Sequence, residues 1–250
     1  MSPHQKLHPG YPSIIPAVLR VIVARMRRRK RSLRGDALRL TGRITPPVIV
    51  DGMANIPASG GYVVVVNHFS RPGFNAAWTA LSLAATIPKE IAFIMSEAWA
   101  FTGNPLGFVL RPLMKFVLAS INEVYGFLSM PSMAEGFSDP RSRAAAVRRV
   151  IQFGRAHPSA VIGIAPEGQD SPELGIGLAP GGGGKFILHL HRMGFPLLPV
   201  VVQERSGRLF TKFGQVFDIP LEPGLPSEAI DTYVRRIIRD RLLVLLDSTD

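Results

Sequence analysis

The sequence predicts an α/β fold, a single layered domain with a mostly central β-sheet flanked by helices, and three observations predict it. Short apolar runs bounded by turn residues alternate with helix-period segments through most of the 250 residues. One run, Tyr62-Val63-Val64-Val65-Val66, is apolar throughout, the pattern of a strand covered on both faces. The hydrophobic fraction is 46% against 19% charged, which suffices for one sizeable core and is too apolar for a disordered chain.

Residues 1–34 join the apolar run Ile14, Ile15, Pro16, Ala17, Val18, Leu19 to a basic stretch holding Arg25, Arg27, Arg28, Arg29, Lys30, Arg31 and Arg34. Arg20 interrupts the run, which falls short of the about 20 residues that a spanning helix needs. A short apolar helix beside arginines suits a membrane interface, where it gains acyl-chain burial and about 1 kcal/mol per basic residue from anionic headgroups. A signal peptide carries its charge ahead of the apolar stretch, so this segment is expected to stay attached. The expectation is a peripheral or monotopic membrane-associated protein on the cytoplasmic face, with anionic lipids as partners and a separable domain over residues 35–250.

In that domain, Val48-Ile49-Val50 and Tyr62 to Val66 read as strands separated by the turn residues Pro57-Ala58-Ser59-Gly60-Gly61. A helix is expected from Pro72 to Thr86, opened by its proline, and a strand over Ile91 to Met95. Leu106 to Met130 is apolar but broken by Arg111, Pro112, Lys115, Asn122 and Glu123, which predicts buried helix and loop. Arg141 to Gly154 is helical in period; Ala160 to Ala165, Leu197 to Val202 and Arg208 to Phe213 are strands. Ile230, Tyr233, Val234, Ile237, Arg241, Leu242 and Leu245 mark a C-terminal amphipathic helix.

Composition excludes some chemistry outright. Without cysteine there is no disulfide, thiolate metal site or cysteine nucleophile. The net charge of +11 suits polyanions, so a basic nucleic-acid-binding protein is one alternative. Aromatic residues are not interleaved with the basic run, however, and no specific nucleic acid is expected. Gly181-Gly182-Gly183-Gly184-Lys185 suggests a phosphate loop, but Ala179 stands at the first required glycine and Phe186 replaces the magnesium-binding hydroxyl. His189 and His191, two apart on a helix, point in different directions and make a poor metal pair.

The candidate site lies where strands end. Asn67-His68 follows the buried strand and precedes the helix expected at Pro72, placing an imidazole near backbone donors suited to an oxyanion. Pro166-Glu167-Gly168 follows another apolar strand in the same way and presents a carboxylate. From spacing alone, Glu167 could equally be an exposed acid in a turn.

Together these elements resemble the phospholipid and glycerol acyltransferase family, whose lead-in turn, strand and Asn-His look like Asp51-Gly52, Asn55-Ile56-Pro57 and Val63 to His68. The family's Pro-Glu-Gly-Thr-Arg-Ser block resembles Pro166 to Ser171, its basic-glycine segment and helix look like Gly177 to Leu190, and its late proline strand looks like Pro196 to Val200. The resemblance covers most of the chain in order. It implies transfer of a fatty acyl group from acyl-CoA or acyl-carrier protein, as co-substrate, to a hydroxyl of a lysolipid-type acceptor. His68 would be the general base with Asn67 beside it; Pro166, Glu167 and Gly168 would bind the acceptor; no further cofactor is implied.

Two positions depart from the family. The aspartate of its His-x4-Asp motif is Gly73 here, and Asn75 is expected on the opposite face of the helix from that position. Gln169-Asp170 replaces Thr-Arg, removing a phosphate-pairing cation, for which Arg71, Arg111 and Lys185 are candidate substitutes. The missing acid makes a lipid-binding pseudoenzyme of the same fold the first alternative.

Overall fold

A computed structural model describes residues 8–96, 107–131, 140–167, 176–221 and 224–247. Among the described residues, the seven strands are β1 (Ile49–Asp51), β2 (Tyr62–Val66), β3 (Ile91–Ser96), β4 (Leu128–Met130), β5 (Val161–Ile164), β6 (Leu197–Arg205) and β7 (Arg208–Phe213). They form one sheet in the order β1-β7-β6-β2-β5-β3-β4, parallel at every step except the β6–β7 hairpin. That hairpin turns through Ser206-Gly207, both at positive φ, the backbone that matches the twist of antiparallel strands.

The uniform apolarity of β2 follows from its place at the centre of this sheet. Val64 and Val66 point into a core shared with Leu33, Ala37, Trp78 and Leu83, whereas Val63 and Val65 point into one shared with Ile187, Leu190, Val234 and Ile238. Helices α2 (Leu33–Thr41) and α3 (Ala76–Thr86) thus cover one face, and α6 (Gly183–Arg192) and α7 (Ser227–Asp247) the other. Helix α5 (Pro140–Ala156) adds Val150 to the second core. Strand period and helix period meet in one three-layered α/β arrangement, as the sequence predicts.

Several boundaries differ from expectation for identifiable reasons. Helix α3 starts at Ala76 because Arg71-Pro72-Gly73-Phe74 closes a tight turn, Arg71 and Phe74 exchanging both backbone hydrogen bonds at 2.9 Å with Gly73 at φ 89°. Pro-Gly at the two central positions is the type II turn signature, and it overrides proline's preference for a helix start. Strand β4 lies inside the segment read as helix and loop, after helix α4 (Gly107–Tyr125). Strand β6 runs on to Arg205, three polar residues beyond the apolar run.

The N-terminal segment is built into the domain. Helix α1 (Ile15–Met26) buries Ala17, Val21 and Ala24, the last two against Val124 of α4. The expected boundary at residue 35 falls inside α2, whose Leu33, Ala37 and Leu40 belong to the main core together with Ala17. Their i, i+4, i+7 spacing was masked by the arginines around it. Removing residues before Gly35 therefore takes core contacts away. Among the described residues, no helix is long and apolar enough to cross a membrane.

Candidate active site

Parallel pairing of β2 with β5 sets the site. Val65 is opposite Ile164, so His68 and Glu167, each three residues further on, leave the carboxyl ends of adjacent strands side by side. In open α/β sheets this is where ligands bind. The His68 backbone N–H donates to Glu167 Oε1 at 3.1 Å, and the Gly177 N–H donates to Oε2 at 3.3 Å. Glu167 is buried, not an exposed acid in a turn. Burial pushes its carboxyl above the ordinary carboxylate value, opposed by the two backbone donors and by the charge of His68. The His68 ring is half-buried, with Nδ1 shielded from solvent.

Asn67 extends the sheet where the strand has ended. Its side chain donates from Nδ2 to the Val202 carbonyl at 3.0 Å and accepts from the Val202 N–H at 2.8 Å, so both halves of a buried amide are satisfied by β6. Arg71 turns away to Glu204: Nη2 donates to Oε1 at 2.5 Å, Nε to Oε2, and Nη1 to the Pro72 carbonyl. Phe69 is buried and packs its ring 5.6 Å from that of Phe74. The imidazole thus projects from a loop whose neighbours on both sides are fixed.

A family model described as Acyltransferase matches residues 47–203, from just before β1 into β6 and including both His68 and Glu167. This chain belongs to the acyltransferase family. Among solved structures, the fold resembles the 1-acyl-sn-glycerophosphate (LPA) acyltransferase PlsC from Thermotoga maritima, with TM-score 0.51 and 17% sequence identity over 93% of this chain and 83% of that one. A search of curated proteins finds no significant match. Family membership supports acyl transfer as the general activity of this acyltransferase-family chain.

The motif position Gly73 sits in the tight turn rather than on the helix, and Asn75 caps α3 by accepting the Ala77 N–H at 3.0 Å. Asn75 is therefore committed to the helix end, for a different reason than helical phase. An added Cβ at Gly73 would lie 3.2 Å from Arg71 Nη1, on a backbone that L-residues rarely adopt. Gly73→Asp is accordingly expected to destabilise the protein by about 1–2 kcal/mol and not to raise turnover. Denaturant melts and thioester assays on the variant check this; a gain in activity would mean that the turn reshapes to admit the acid.

Lys185 is exposed on the first turn of α6. The glycine-rich helix start that could hold a phosphate is occupied by an internal anion: Asp231 of α7 accepts the N–H groups of Gly182 and Lys185, both at 3.0 Å. Gly184 permits this contact, since a Cβ there would come 2.3 Å from the Asp231 carbonyl. Pro166 is buried; Gly168, Gln169 and Asp170, and the side chain of Arg111, lie outside the described residues. Sequence reasoning missed Glu204 and Tyr11. The signal for Glu204 is its alternation with Val200 and Val202 on β6, which directs a carboxylate toward the core.

Proposed function

We propose that this acyltransferase-family chain moves a fatty acyl group from acyl-CoA or acyl-carrier protein to the hydroxyl of a lysolipid-type acceptor, with His68 as general base. The observation that carries the reading is the His68–Glu167 contact, which unites the Asn-His and Pro-Glu-Gly blocks at the ends of adjacent parallel strands. His68 takes the acceptor's hydroxyl proton as that oxygen attacks the thioester carbonyl; the carbon–sulfur bond then breaks and the thiolate leaves, receiving that proton from His68 to depart as the thiol, with no covalent acyl-enzyme. Asn67 and Glu167 hold the backbone on either side of the imidazole. Pro166, Glu167, Gly168 and Lys185 remain candidates for acceptor binding, and the acceptor is one that lacks a phosphomonoester. The experiment is thiol release from an acyl thioester across a panel of lysolipids on vesicles. Stimulation by one acceptor class supports the reading, and no stimulation by any refutes it.

The same proposal places the protein at a membrane surface. On α1, Ile15, Leu19, Val23 and Met26 form one exposed apolar stripe, opposite the face buried on α4. Leu113 and Phe116 of α4 are exposed as well, and the Arg25 guanidinium lies 4.9 Å over the Phe116 ring. Patches of this kind mark lipid or protein contact. Of the basic run, Arg25, Lys30, Arg31 and Arg34 bond within the protein, whereas Arg27, Arg28 and Arg29 are exposed beside the stripe. Changing those three to Gln is expected to weaken binding to anionic vesicles, by up to about 1 kcal/mol each at low salt, and to leave neutral vesicles unaffected. Leu19→Asp is expected to weaken both. Cosedimentation measures the two, and unchanged binding in both variants would remove this surface from consideration.

A further inference from the structure

The loop from Asn67 to Arg71 is gripped at both ends by one strand. Asn67 exchanges hydrogen bonds with the backbone of Val202, and Arg71 forks onto Glu204, two residues further along β6. Val200, Val202 and Glu204 alternate onto the same face of the sheet, so Glu204 continues an inward column of valines as a carboxylate, its side chain only 7% exposed. A buried carboxylate is tolerated only when paired, so partners hold it as firmly as it holds them. Tyr11 donates to Oε1 at 2.5 Å and packs its ring 4.7 Å from Trp78 and 5.8 Å from Phe74. His8 Nδ1 lies 3.4 Å from Oε2. Each guanidinium nitrogen of Arg71 has a partner inside the protein, which suits a structural clamp better than a substrate ligand.

We propose that Glu204 is a positioning residue for His68, holding the loop through Arg71 and Tyr11 where the family's motif acid would otherwise steady the imidazole. Its catalytic meaning rests on the acyl-transfer reading above. The clamp reaches beyond the site: Gly10 pairs with Thr45 through hydrogen bonds of 2.7 and 3.1 Å, so the segment leading into α1 is fixed to the domain and to Glu204 together. Burial and the neighbouring carboxylate push the Tyr11 phenol above its ordinary range and keep it a donor.

Amide hydrogen exchange on the full-length protein tests the clamp independently of turnover. Glu204→Gln keeps the shape and removes the charge. Exchange of amides between His68 and Phe74 is expected to accelerate roughly 10- to 100-fold, while β2 and β5 keep their protection. Arg71→Lys keeps the charge but loses the fork, and is expected to show a smaller acceleration at the same amides; it serves as the readout if Glu204→Gln does not fold. Unchanged exchange there in a folded variant overturns the proposal. In the acyl-transfer assay, kcat is expected to fall roughly 10- to 100-fold with KM for the acceptor nearly constant. A fall that only follows the folded fraction also overturns it. Wild-type protein without any transfer activity would defeat the acyl-transfer reading, while exchange would still decide the clamp.

Discussion

Replacing His68 with alanine is expected to lower turnover by about 10²- to 10⁴-fold, the range that a positioned general base contributes, with the fold retained. The contact between the two motif blocks survives this change, because it is the His68 backbone N–H that donates to Glu167. The half-buried ring lies in the loop beyond a strand whose five residues are buried, so its truncation leaves the packing of the central sheet in place. Purified variant and wild type are compared in the thioester-release assay, with thermal melts alongside. Undiminished turnover in the folded variant would remove the imidazole from the mechanism.

Glu167→Ala is expected to lower turnover by about 10²-fold, through misplacement of the loop rather than loss of a proton carrier. The substitution strands the N–H groups of His68 and Gly177, each of which now ends on a carboxylate oxygen. Its effect on stability depends on pH in a direction fixed by the raised pKa of this buried acid, a rise caused by burial and resisted by the two N–H donors. The native chain keeps the proton at pH values where the unfolded chain has released it, so the stability contributed by Glu167 falls as pH rises from the unfolded pKa through the folded one. Wild-type stability relative to the variant is therefore expected to decline across that window, measured by denaturant melts at several pH values. A difference that grows with pH would mean that the two hydrogen bonds outweigh the burial.

Much of this geometry was legible in the residues. The all-apolar Tyr62–Val66 run located the central strand, and the two strand-end motifs marked the two segments that meet in the candidate site, because both signals are short-range. Family resemblance, not spacing, linked Glu167 to His68; the β2–β5 register supplies the physical reason for their meeting. The start of α3 was misplaced because Pro72 is compatible with both a helix opening and a turn, and the left-handed Gly73 decides between them. Glu204 and Tyr11 were invisible for another reason. Their partners lie far along the chain, so although alternation with Val200 and Val202 points the Glu204 carboxylate inward, nothing local names the arginine and tyrosine that pair with it. The basic run was legible as charge, but the division between arginines that bond internally and those that face outward depends on α4 and α2 packing beside it.

A labelled acyl chain can be followed from a thioester donor into lipid, using purified full-length protein and anionic vesicles that contain lysolipid. Labelled, acylated lysolipid is expected to accumulate in step with released thiol, and His68→Ala is expected to lose both together. Thiol release with the label recovered as free fatty acid would contradict this, as would lysolipid binding with no thiol released, the behaviour of a lipid-binding pseudoenzyme.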